Sequence, residues 1–156
     1  MTDAIVTSST ASSFVYVTYI RTTAEKLWAA LTDTDFHAQY WFGTRFETTW
    51  EKGAPWRMIS ADGTLTDSGE VLAIEKLRRV VLKWKNEFRP ELSAEGYATC
   101  TYEIEQTDGA MKLTITHAID VSHAKLITAV SGGWPRILSN LKSLLETGEV
   151  ALKSKP

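Results

Sequence analysis

Three histidines, one cysteine and a scatter of carboxylates are the groups in this 156-residue chain that could ligate a metal or move a proton. His37, His117 and His123 share no His-x-x-x-His spacing, and Cys100 has no second cysteine to make a Cys-x-x-Cys pair. Zinc sites draw on clustered ligands, so no metal is expected. Asp33 and Asp35 stand in a Thr/Asp run between helical segments, where carboxylates ordinarily cap helices. No Gly-x-Ser-x-Gly elbow is present. Cys100 falls on an apolar strand face, where a thiol is an inert small hydrophobe, and His117 can meet it only if their strands pair in the right register. Neither a phosphate loop nor a Gly-x-Gly-x-x-Gly turn occurs, so no nucleotide cofactor is expected.

His117 is the polar residue with most chemical scope. It shares a strand face with Leu113 and Ile115. There it is either a hydrogen-bonded core histidine or a ligand anchor, and a general acid/base if partners converge on it. Tyr102 reads the same way: its ring serves a core and its hydroxyl could orient a ligand carbonyl. Arg57 faces solvent if Trp56 and Met58 face inward. The opposite pleat would bury it as a cation seeking Glu70 or a ligand carboxylate, and a one-residue shift swaps the two. The chain also carries six Trp, five Tyr and five Phe. Trp28 and Trp134 fit apolar helix stripes, and Trp50 lies near a turn. Trp41, Trp56, Met58, Trp84, Tyr102, His117 and Trp134 are the residues expected to line a ligand cavity.

These side chains need elements to position them. Phe14–Arg21 reads as a strand. Thr22 and Glu25 fit a capping box, with Ala24, Leu27, Trp28 and Leu31 on one helix face. Asp33 or Thr34 can cap a second short helix through Tyr40. Strands follow over 44–50, 56–61, 69–77 and 79–85, then a polar loop over 86–95 containing Pro90. Ala98, Cys100, Tyr102 and Ile104 alternate with Thr99, Thr101, Glu103 and Glu105, the cleanest two-faced strand of the chain. Thr107-Asp108-Gly109 turns it into a last strand over 111–119. Trp134, Ile137, Leu138, Leu141, Leu144 and Leu145 form a helical stripe ending at Gly148. A short helical piece over 122–130 precedes it, with a break or bend expected at Gly132-Gly133-Trp134-Pro135.

At 156 residues the chain reads as one domain over 14–148, with a flexible tail over 1–13 and a C-terminal tail over 149–156. Seventeen basic against nineteen acidic residues give a net charge of −2. That excludes nucleic-acid binding driven by bulk charge. No run of ~18 apolar residues predicts a membrane span. The start has neither the basic nor the apolar region of a secretory signal, and a single cysteine fits a reducing, cytoplasmic setting.

In this order the pieces resemble the START-like (SRPBCC) superfamily with its helix-grip fold. Within it the chain is similar to the bacterial family named after activators of the heat-shock protein 90 ATPase. The resemblance runs from Phe14 to Glu146. It rests on Ala24-Glu25-Lys26-Leu27-Trp28, Tyr40-Trp41-Phe42, the segments 69–75 and 81–84, Thr101-Tyr102-Glu103-Ile104-Glu105, Leu113-Thr114-Ile115-Thr116-His117 and Gly133-Trp134. It implies an α+β fold, in which a curved antiparallel sheet of six or seven strands wraps a long C-terminal helix, with two short helices after the first strand. It also implies a stress-related bacterial protein that binds or transports a small hydrophobic molecule between sheet and helix. A cyclase- or hydrolase-type enzyme using that cavity is the alternative, as is a chaperone-binding module acting through an exposed Tyr40-Trp41-Phe42 cluster. The eukaryotic activators carry a further amino-terminal domain, for which the stretch before Phe14 is too short. A monomer or a homodimer is expected.

Overall fold

Strict alternation of apolar and polar residues builds most of this molecule. The computed structural model describes residues 11–153. Seven strands form one antiparallel sheet in the order β1-β7-β6-β5-β4-β3-β2. They are β1 (Ser12–Ile20), β2 (Arg45–Glu47), β3 (Pro55–Ile59), β4 (Leu65–Glu75), β5 (Arg79–Asn86), β6 (Ala98–Thr107) and β7 (Ala110–Ile119). Strands β2 to β7 follow one another as a meander, and β1 returns to pair with β7. On β7, Met111, Leu113, Ile115, His117 and Ile119 are buried while the residues between them are half-buried. On β6 the buried set is Ala98, Cys100, Tyr102 and Ile104. Register shifts between Met58 and Ile59 and between Val71 and Ala73 mark bulges, which bend strands and deepen sheet curvature.

Among the described residues four helices complete the fold: α1 (Ala24–Thr32), α2 (Thr34–Tyr40), α3 (Pro90–Ser93) and α4 (Lys125–Thr147). The sheet and α4 grip the core between them, with Ile137, Leu138 and Leu141 of the helix buried against it. The cap of α1 is Thr23, whose hydroxyl accepts from Lys26 N–H at 3.2 Å, one residue later than the expected Thr22. Asp33 caps α2, accepting from Phe36 N–H at 2.8 Å.

Two expectations are corrected. The first is the break at 132–135: α4 runs unbroken through Gly132, Gly133 and Pro135. Proline costs the helix one N–H bond, but Trp134, Ile137, Leu138 and Leu141 are buried together on the sheet side. Burial at ~1.5–3 kcal/mol per large apolar side chain outweighs that loss. The second is the N-terminal boundary: Ser12 and Ser13 belong to β1, pairing with Ile119 and Ala118, because β7 offers partners that far. The remainder of the expected tail, residues 1–10, lies outside the described residues.

Candidate functional site

The sheet and the first half of α4 do not meet along their whole length. Between them lies a cavity of about 160 Å³. Trp84 of β5, Asp67 of β4 and His117 of β7 border it from the sheet, and Trp41 from the end of α2. From α4 come Leu126, Ala129, Val130, Gly133, Trp134 and Ile137, and the β5–β6 connection supplies Phe88, Arg89 and Leu92 at the mouth. Small residues on the helix leave the space: a Cβ added at Gly133 would meet nothing within 4 Å.

Backbone register sets where each ring goes. Trp84 stands opposite Gly69 of β4. That glycine is obligatory, since a Cβ there would sit 1.7 Å from the Lys83 carbonyl oxygen and 2.8 Å from the Trp56 indole nitrogen. The Trp56 Nε1–H donates to the same Lys83 carbonyl at 3.0 Å, which seats its ring beside Trp84. Trp41, Trp84 and Trp134 contact one another with ring centroids 5.2–6.4 Å apart.

Two indoles fix the polar groups. Trp84 Nε1–H donates to Asp67 Oδ2 at 2.8 Å. Burial pushes the Asp67 carboxyl above its ordinary range, and hydrogen bonds from Trp84, Thr66 and Asn86 pull it partly back. Trp134 Nε1–H donates to His117 Nδ1 at 3.1 Å. An indole can only donate, so Nδ1 is bare and the neutral ring carries its proton on Nε2. That Nε2 is buried without a partner, and burial pushes the ring down to about 4.

The mouth is tied to the helix. Ala124 gives α4 no side-chain cap. Instead Glu95, reaching from the β5–β6 connection, accepts from Lys125 N–H at 2.7 Å and Leu126 N–H at 2.9 Å. A carboxylate at a helix N-terminus satisfies orphan donors and complements the dipole. The expected polar loop over 86–95 thus contains the short helix α3, whose Leu92 is buried.

Of the seven residues predicted to line a cavity, Trp41, Trp84, His117 and Trp134 border this one. Trp56 and Met58 are buried in the solid core behind it. Tyr102 meets the Trp134 ring edge-on at 5.9 Å and does not border the cavity, so it does not converge there with His117. The inward pleat of Trp56 and Met58 leaves Arg57 exposed, paired with Glu47 at 2.9 Å, and Glu70 exposed. Cys100 does stand opposite His117 across β6 and β7, yet its thiol is buried and burial pushes it well above the ordinary range. Among the described residues no three His, Cys, Asp or Glu are grouped to hold a metal ion. The Tyr40-Trp41-Phe42 cluster is not an exposed patch. Tyr40 is buried, donating to the Ala30 carbonyl at 3.1 Å, and Trp41 and Phe42 are half-buried. Sequence reasoning missed Asp67, which sits in a polar stretch, Thr66-Asp67-Ser68, with no apolar alternation to mark it as strand.

Comparison with known proteins agrees with this architecture. The family model described as "Activator of Hsp90 ATPase homolog 1-like protein" matches residues 21–146, and the chain belongs to that family. No curated protein matches the chain. An HSP90 activator of Plasmodium falciparum, PFC0360w, is similar in structure, with a TM-score of 0.69 at 23% identity over 85% of this chain and 95% of that one. The Aha1 dimer of Colwellia psychrerythraea has a TM-score of 0.71 at 16% identity, covering 88% of this chain and 98% of that one. DynU16, a protein in the dynemicin biosynthetic locus, has a TM-score of 0.73 at 20% identity over 88% of this chain, which spans 48% of DynU16. At these identities the likeness is one of fold. No helix among the described residues is long and apolar enough to cross a membrane.

Proposed function

We propose that the protein binds a small apolar molecule in the cavity between its sheet and α4, as a cytoplasmic carrier or sensor. The observation that carries this reading is the hollow itself, bordered by Trp41, Trp84 and Trp134. Its volume is about 160 Å³. An engineered cavity of ~150 Å³ lined by apolar side chains accepts benzene, whereas drug-sized ligands occupy ~300–1,000 Å³. The ligand is therefore of single-ring size. The relative in a biosynthetic locus supports a small-molecule role. The HSP90 activator among the relatives supports a chaperone partner, but the surface cluster that motivated one here is packed inward.

Toluene added to the protein tests the reading through the indole N–H signals in ¹H–¹⁵N spectra. Saturable shifts are expected at Trp84 and Trp134, with Trp28 on α1 unmoved. In Gly133→Leu the new side chain occupies the space, and those shifts are expected to vanish while the fold persists. Absence of saturable shifts in the unmutated protein, or shifts that survive Gly133→Leu, overturns the proposal.

A further inference from the structure

The cavity's own polar group is a carboxylate that lacks a counter-ion. Asp67 is half-buried and borders the cavity. Its partners are neutral donors: the Trp84 indole, Thr66 and Asn86. Among the described residues none of the ion pairs involves it. Arg89, the cationic side chain that borders the cavity, is already engaged by Glu91, with Nε at 3.2 Å and Nη2 at 2.9 Å. Glu87 adds a second negative charge close enough to act on Asp67. His117, the other ionisable group at the cavity, carries no charge at neutral pH in its buried setting.

A carboxylate partly removed from water without a cation is costly, so the group either takes up a proton or is paired by a cation that enters the cavity. The surroundings suit an organic cation. Trp41, Trp84 and Trp134 border the same space, and tryptophan is the side chain that attracts cations most strongly through its π-system. Aromatic sites next to a carboxylate favour quaternary ammonium groups over hydrated metal ions, because a charge sheathed in methyl groups holds its water weakly.

We infer that the ligand carries a positively charged head, a small quaternary alkylammonium group seated at Asp67 among Trp41, Trp84 and Trp134. This rests on the proposed function and narrows it to one chemical class: an apolar body of single-ring size or less with one ammonium group. Asp67 supplies the charge, and the three tryptophans border the space the body fills.

The test compares two probes of equal shape, choline and its uncharged isostere 3,3-dimethylbutan-1-ol, by calorimetric titration of the full chain. Choline is expected to bind at least ~10-fold more tightly, the ratio of a contact worth ~1.4 kcal/mol. Asp67→Asn is expected to remove that preference and leave the affinity for the alcohol unchanged. Comparison of the two probes on the unmutated protein stands even if the variant fails to fold. Equal or tighter binding of the alcohol overturns the inference, and so does a choline affinity that survives in folded Asp67→Asn. If toluene binds and choline does not, the charged class is wrong and the proposed function stands. If none of the three binds, both fall.

Discussion

Two halves of the interior use the same residue types to opposite ends. Around α2, β2 and β3 the rings stack solidly. Phe46 lies between Trp50 and Trp56 at 4.9 and 4.7 Å, and His37 stacks on Trp41 at 4.6 Å. Around β4, β5 and α4, Trp84 and Trp134 instead border open space. Each half contains one buried histidine that burial pushes down to about 4. His37 Nδ1–H donates to the Thr44 carbonyl at 2.7 Å, so its bare nitrogen is Nε2. His117 Nδ1 accepts from Trp134, so its Nε2 carries the proton. The rings are thus opposite tautomers, each set by a neighbour that can only accept or only donate. The lesson is that aromatic content does not decide between core and chamber. What decides is the size of the residues facing the rings: Phe46 fills its half, while Ala129 and Gly133 leave theirs hollow.

If the halves are separable, damage to the filled one spares the other. Phe46→Ala is expected to cost ~3–5 kcal/mol in urea unfolding, while the toluene-induced shifts of Trp84 and Trp134 keep their midpoint in the folded fraction. A midpoint that moves with stability would show the halves to be one unit. Acid acts on both halves together. Each buried histidine binds its proton more weakly in the folded chain than in the unfolded one. Its contribution is therefore fully present above pH 6.5 and is lost as pH falls toward 4. A loss of roughly 2–3 kcal/mol per ring by pH 4 is expected in unfolding free energy measured between pH 7 and 4. Stability that stays flat across that range would mean the rings are protonated inside the fold at little cost. The smallest effect isolates the hollow half. Gly133→Ala should stabilise α4 by about 1 kcal/mol, raising the thermal midpoint, because the methyl enters empty space and alanine favours helix. A fall in the midpoint would show that the methyl meets filled space.

Much of this was legible in the chain. The alternation in β6 and β7 set both their faces and the inward turn of His117, and the stripe from Trp134 to Leu141 located the helix–sheet contact. The pleat of β3 was open by one residue, and only pairing with β2 and β4 decides it, through the Arg57–Glu47 contact on the outer face. Other features depend on partners remote in sequence. Asp67 acquires meaning from Trp84, seventeen residues away, and Glu95 from the α4 amides thirty residues on. Local rules also misjudged Pro135. They count its missing N–H and cannot count the apolar area that Trp134 and Ile137 bury on the sheet.

That proline has a mechanical consequence. Pro135 offers no N–H to the carbonyl of Ser131, and two glycines precede it by two and three residues. The C-terminal half of α4 is anchored by Leu138 and Leu141, among the most deeply buried side chains of the protein, and by Asn140, whose amide group holds the backbone of Leu152. The N-terminal half spans the cavity and is held by Glu95 at its first amides and by the buried Leu126. The helix therefore behaves as a stiff post and a softer cantilever joined at residues 131–135. Such a joint lets the roof of the chamber breathe as a local opening, at a free-energy cost below that of global unfolding, while the post keeps the sheet in its grip.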